Sequence, residues 1–177
     1  MVEIREMSIE ELDRVIEVDV SECGDIVYYY AQGDIVAQPE RWRRPPRSRA
    51  EWQTLTDRWQ DYLKDGGVFL GAFDGEKLTG FAVLRFNLTP SQAELAGLFV
   101  SPAYRRQGIA AKLNDEVVHL ARGSGAKELY VSATPSRSAV DFYQSQGFIL
   151  TKEVHPDLYA LEPEDIHMVM SLQDEVP

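Results

Sequence analysis

The stretch "ELAGLFVSPAYRRQGIAAKL", residues 94–113, decides how the rest of the chain is read. It completes the run "QAELAGLFV" (92–100), which has the make-up of a strand. Beyond a short turn, Ile109, Leu113, Val117 and Leu120 recur at helical spacing until Gly123. Between strand and helix, Arg105 and Arg106 run into Gln107 and Gly108. A helix start offers unpaired N–H groups and the positive end of the macrodipole. A glycine there lets an anion approach the backbone closely, and two arginines add mobile positive charge. A ligand in such a unit sits at the carboxyl end of the strand. The arrangement is a candidate pyrophosphate cradle. A plain strand–turn–helix with a glycine kept for tight packing is the competing account.

Working outward, "VEIREM" (2–7) reads as a short strand, and Ser8 with Glu11 matches a capping box. Leu12, Val15 and Ile16 follow at helical spacing. A second box, Ser48 with Glu51, opens a helix with Trp52, Leu55, Trp59 and Tyr62 on one face, stopped by Gly66-Gly67. Trp52 and Trp59 are expected in the core. "VFLGAF" and "LTGFAVLRF", joined through Asp74-Gly75, read as a β-hairpin. Residues 24–47 are less regular. "IVYYYA" and "DIVA" have strand character around Gly33-Asp34, which suggests a hairpin, with Tyr28 and Tyr30 on one side and Tyr29 on the other. Arg41, Arg43, Arg44, Arg47 and Arg49 then cluster around Pro45-Pro46, either as a solvated, proline-stiffened loop or as an anion-facing, substrate-gating one.

Downstream, "KELYVSA" (127–133) is a strand. Thr134 is a candidate N-cap with Pro135 at the first helical position, opening a helix through "SRSAVDFYQSQ" to Gly147. "FILTKEV" and "IHMVMSL" are expected as the last two strands. Mostly antiparallel strands with helical crossovers imply a mixed α+β sheet packed between helices.

At 177 residues the chain is read as one domain, 1–177, able to bury its own core. A content of 44% hydrophobic and 27% charged residues is ordinary for a globular protein. The net charge of −11 argues against nucleic-acid binding and favours a cationic partner, although acidity also serves solubility alone. Cys23 is the single cysteine, so no internal disulfide forms, and no Cys/His cluster suggests a metal. "MVEIREMSIEELDRV" places acids where a signal peptide needs an apolar run, and no stretch approaches the ~18 apolar residues of a membrane span. A cytoplasmic protein with no membrane partner is expected. His119, His155 and His167 are expected to be structural.

Residues 94–113 also resemble the acyl-CoA-binding core of the GNAT superfamily of N-acetyltransferases. Arg105, Gly108 and Ala110 fit its Arg/Gln-x-x-Gly-x-Gly/Ala motif. Ala139, Tyr143, Gly147 and Phe148 fit a second motif, Ala-x-x-x-Tyr on a helix before Gly-Phe. Ser136 stands where many members carry Asn. The resemblance covers about 67–150 and implies a GNAT-like fold. That fold is a twisted, mostly antiparallel sheet of six to seven strands, flanked by about four helices. The cofactor enters a V-shaped opening after the fourth core strand, and residues 24–50 are an acceptor-side segment that varies within the family.

The implied reaction moves an acetyl group from acetyl-CoA to a primary amine in a ternary complex. A strand bulge at Leu98, Phe99 and Val100 would bind pantetheine and polarise the thioester. Arg105 and the backbone of Arg106, Gln107, Gly108, Ile109, Ala110 and Ala111 would hold the pyrophosphate, and Ser136 the pantetheine arm. Glu94 is the candidate general base and Tyr143 the general acid, where each could instead be an ordinary strand or helix residue. No metal is implied, and the chain would act as a monomer or homodimer. A non-catalytic acyl-CoA-binding sensor shares the whole cradle and is the alternative. A dinucleotide-binding oxidoreductase is excluded, since no G-x-G-x-x-G follows an early strand.

Overall fold

The computed structural model describes residues 1–173. The strands of its main sheet are β1 (Glu3–Met7), β4 (Val68–Asp74), β5 (Lys77–Thr89), β6 (Gln92–Val100), β7 (Glu128–Ala133), β8 (Ile149–Leu150) and β9 (Ile166–Ser171). These seven lie in the order β1-β4-β5-β6-β7-β9-β8. β2 (Glu22–Ala31) and β3 (Asp34–Arg44) form a separate antiparallel pair. The helices are α1 (Arg49–Lys64), α2 (Ile109–Gly123), α3 (Arg137–Ser145) and α4 (Pro156–Leu161), with 3-10 segments at Ile9–Glu17 and Pro102–Tyr104.

The expected α+β sheet between helices is what forms. β5 is buried continuously from Leu78 to Leu84 because both faces are covered. Leu70, Ala82, Leu84 and Leu95 face α2 and α3, where they meet Leu113, Val117 and Val140. Phe69, Phe81 and Val83 alternate to the other face, against Trp52 and Trp59 of α1 and Val15 of the first 3-10 segment.

All neighbouring strands of this sheet run antiparallel except β6 and β7. That parallel pair is held only where Gln92–Glu94 meets Glu128–Tyr130. Beyond it β6 stays with β5 and β7 with β9, so a wedge opens.

β6 bends just past that point. Leu84 pairs with Leu95 and Val83 with Gly97, leaving Ala96 as the bulged residue. The bulge was expected at Leu98–Val100, yet those three residues pair regularly with Gly80–Ala82. It falls earlier because Gly97 packs beneath Trp59, where a Cβ would meet Trp59 Cζ2 at 2.9 Å. A strand turning against that ring needs a residue without a side chain.

Four local expectations shift. The first helix is 3-10, so Leu12, Val15 and Val18 stack at three-residue spacing and Ile16 turns outward. The β2–β3 turn is Gln32-Gly33, both at positive φ as a tight primed hairpin requires, and Asp34 already opens β3. Ser136, not Thr134, caps α3. The final "FILTKEV" is a strand only at Ile149–Leu150, and the short α4 follows it.

The β2–β3 hairpin docks onto the start of α3. Tyr28 N–H donates to the Pro135 carbonyl at 2.8 Å, and its hydroxyl donates to Asp141 at 2.7 Å. Among the described residues, no helix is long and apolar enough to cross a membrane.

Candidate active site

The wedge becomes a cleft of about 1350 Å³, bordered by Trp42, Leu98–Val100, Gly108, Ser136 and Tyr143. One wall is the start of α2. Its first helical hydrogen bond runs from Lys112 N–H to the Gly108 carbonyl at 3.0 Å, so the N–H groups of Gly108 to Ala111 precede the helical ladder. Gly108 has φ +79, and a Cβ built on it would meet nothing within 4 Å. Tight packing is therefore not its role; the left-handed turn and the open approach to the backbone are. Arg106 just before it is also left-handed, at φ 60. Its exposed side chain borders the cleft and has no ion-pair partner among the described residues.

Arg105 is not the mobile charge expected of it. Its Nε donates to the Val100 carbonyl at 2.9 Å, its Nη2 to the Ser21 carbonyl at 3.3 Å, and its Nη1 lies 3.7 Å from Glu22. Glu22 also accepts the Ser138 hydroxyl. Arg105 thus ties the root of β2 to the end of β6. Ser136 borders the cleft, but its Oγ accepts the Ala139 N–H at 3.3 Å as a helix cap.

The two catalytic candidates are placed differently. Tyr143 borders the cleft, packed edge-on against Phe142 and Phe148. Burial pushes its phenol well above the ordinary range, with the charge of Asp165 acting the same way. Glu94 is buried at the root of the split and does not border the cleft. Burial pushes its carboxyl up, while Arg85, 3.2 Å away on the neighbouring strand, pulls it back.

Several charged groups that sequence reading missed gather on this α1 side. Arg85 stacks over Tyr62 at 4.5 Å, and Arg58 approaches Glu162 at 3.9 Å. Arg58 and Glu162 both act on the titration of Glu94. Asp165, just before β9, is pushed up to about 7 by burial and then by the charge of Glu162. Arg85 could have been found by extending the β5–β6 register across to Glu94. Asp165 sits in an acidic loop that carries no periodic signal.

None of the three histidines borders the cleft. His167 Nε2 faces the Glu162 carbonyl at 3.3 Å and so carries the proton, which leaves Nδ1 to accept the Tyr130 hydroxyl at 2.8 Å. Tyr130 in turn accepts the His155 backbone N–H at 3.2 Å. Burial lowers the His167 imidazole, consistent with the neutral form. His119 is exposed on α2.

Residues 34–148 match the family model described as the acetyltransferase (GNAT) family. A spermidine N(1)-acetyltransferase of Thermoplasma acidophilum is 32% identical over 151 residues, spanning 83% of this chain and 88% of that relative. A solved nourseothricin acetyltransferase has a TM-score of 0.75 at 18% identity, over 97% of this chain and 99% of its own. The PaiA N-acetyltransferase of Thermoplasma acidophilum, solved with coenzyme A, has a TM-score of 0.62 at 19% identity, again over 97% and 99%. At these identities the structural likeness speaks for the fold. The family match and the T. acidophilum relative place this chain in the GNAT acetyltransferase family, and it is an acyltransferase.

Proposed function

We propose that the protein transfers an acetyl group from acetyl-CoA to a primary amine of a small molecule or peptide, by direct attack in a ternary complex. The split between β6 and β7 carries this reading. It sets a helix start and a strand edge on one side and a buried carboxylate at its root.

The residues present fit acetyl-CoA. The N–H groups from Arg106 to Ala111, with the Arg106 side chain, suit the pyrophosphate. The edge of β6 at Leu98, Phe99 and Val100 suits the pantetheine, with one N–H polarising the thioester carbonyl. Ser136 at the mouth of α3 adds a hydroxyl.

An alkyl ammonium, with a pKa of about 10.4, must lose its proton before attack. Glu94 serves as the base, and its raised pKa suits it better than an ordinary carboxylate. Because its carboxylate is buried against Arg85, a water carries the proton to it. As the new C–N bond forms and the C–S bond breaks, Tyr143 donates its proton to the departing sulfur, and the nitrogen's second proton is released to water. A phenol pushed up by burial holds that proton at neutral pH until it is needed. Asp165, close enough for its charge to act on Tyr143 and with its carboxyl pushed up to about 7 by burial, is a second candidate base.

The test is free-CoA release across amines, amino acids, polyamines, aminoglycosides and N-terminal peptides, beside a melting curve with acetyl-CoA. Release with at least one acceptor and a raised Tm are expected. No release from any of them would sink the transfer reading, and no Tm shift would sink the cradle.

A further inference from the structure

The arginine cluster that runs from the end of β3 into α1 has no part in the chemistry above. Arg41, Arg43 and Arg44 lie on β3 itself, so the expected loop is a strand there, and Arg43 and Arg44 border the cleft. Arg47 is the unusual member. It sits between β3 and the Ser48 cap of α1, with its guanidinium 5.0 Å over the Trp52 ring and 5.1 Å over Phe99. Phe99 belongs to β6 and borders the cleft, and Arg47 stands directly behind it on the α1 side, one ring away from the cleft wall.

Its Nη1 is out of contact with solvent and has no hydrogen-bond partner. No carboxylate lies within ion-pairing distance of it among the described residues, whereas Arg58 meets Glu162 and Arg85 meets Glu94. Burial weakens its hold on its proton, and the neighbouring Arg44 and Arg58 act the same way, against Glu51 and Glu162.

A half-buried cation with no anion beside it is costly, and an anion brought by a ligand relieves that cost. The planar guanidinium fork fits a carboxylate, which can accept two parallel N–H bonds. The pyrophosphate of the donor already has its own site at α2. We infer that Arg47 receives a carboxylate of the acceptor, so the acceptor is an amino-acid-type molecule with both an amine and a carboxylate. This rests on the amine-acetyltransferase reading and names its substrate class. It also reverses the expectation from net charge: the whole chain is acidic, but its acceptor side carries an unmatched cation, and the local field decides the ligand.

The test compares amino acids with their matching amino-acid amides, which keep the amine and lose the carboxylate. With the wild-type protein and acetyl-CoA, kcat/KM for the preferred amino acid should exceed that for its amide at least tenfold. Arg47→Gln should lower the amino-acid value about tenfold or more and leave the amide value within about threefold. Arg47→Lys should fall between. An unchanged Tm response to acetyl-CoA shows that each variant is folded.

Equal turnover of acids and amides by wild type overturns the inference while the transfer reading stands. So does an equal loss on both in Arg47→Gln. If nothing releases CoA, the transfer reading falls and the melting temperature of the CoA-loaded protein decides. A rise with amino acids but not amides, absent in Arg47→Gln, upholds the carboxylate site, and no rise with either overturns it.

Discussion

The two sides of the β6–β7 split are made of different material. The α2–α3 side offers main chain to the cleft: the N–H groups from Gly108 to Ala111, ahead of the helical ladder, and the edge of β6 from Leu98 to Val100. The α1 side gathers charged side chains from segments far apart in sequence, among them Arg47, Arg58, Glu94 and Glu162. A main-chain site is set by local conformation, so a few consecutive residues specify it. A side-chain site is set by packing, and its titration follows burial and neighbours that the local sequence does not name. The first kind tolerates wide sequence change around it, while the second changes its ligand with single substitutions.

The harshest way to break the comparison is at Gly108. Gly108→Glu should abolish the rise in Tm with acetyl-CoA, because its carboxylate occupies the anion's place. The fold should survive, since a Cβ there meets nothing within 4 Å and the left-handed φ of +79 costs a non-glycine residue about 1–2 kcal/mol. Gly108→Ala carries the same strain without the charge and separates the two effects. A Gly108→Glu protein that keeps the full response would mean that main chain is not what holds the donor.

On the other side, Glu94→Gln should lower kcat by about 10²-fold or more. The sign of the pH dependence follows from the base having to be unprotonated: activity falls as pH falls through its pKa. Burial raises the Glu94 carboxyl, so the acidic limb of wild-type kcat/KM should lie above the ordinary carboxylate range and vanish in Glu94→Gln. A limb near 7 that survives Glu94→Gln and disappears in Asp165→Asn would transfer the role to Asp165. Tyr143→Phe should be milder, about 10- to 100-fold in kcat, with the acetyl-CoA response of Tm unchanged. Unchanged turnover would remove Tyr143 from the mechanism.

The same division governs what is legible in the amino-acid sequence. Gln92–Val100 and Ile109–Gly123 can be read to within a residue because strand composition, apolar spacing and a glycine boundary agree there. The hairpin of β4 and β5 is legible for the same reason. The bulge at Ala96 is not, because it depends on Trp59 lying against Gly97, far away in the chain. Thr134-Pro135 makes a good cap in isolation. The cap is Ser136 instead and the helix starts at Arg137, because the Pro135 carbonyl is taken by Tyr28 of the docked hairpin. α4 spans only Pro156–Leu161, too short to show an apolar stripe, and is held by Leu158 against Tyr130 and Leu88. Glu94 is legible through its strand and Arg85 through the register opposite it, but the burial that raises the Glu94 carboxyl and the approach of Arg58 and Glu162 are not.

Arg105 is where the two sides meet, and the smallest expected effect tests it. Motif and position made it a phosphate ligand, but its geometry makes it a tie between β2 and β6. Arg105→Met removes two bonds to main-chain carbonyls and a partly exposed ion pair with Glu22. The loss is about 1–2 kcal/mol, or roughly 3–6 °C in Tm for a chain of this size. Acetyl-CoA affinity should fall by no more than about threefold, through the loosened hairpin. Arg106→Met should show the opposite pattern: no change in Tm, and a several-fold loss of affinity that shrinks as salt rises, as for an exposed cation facing an anion. If Arg105→Met instead loses affinity tenfold with its Tm intact, Arg105 leaves Glu22 when the donor arrives. The cradle would then be partly side chain, and the contrast between the two sides would narrow at the residue that joins them.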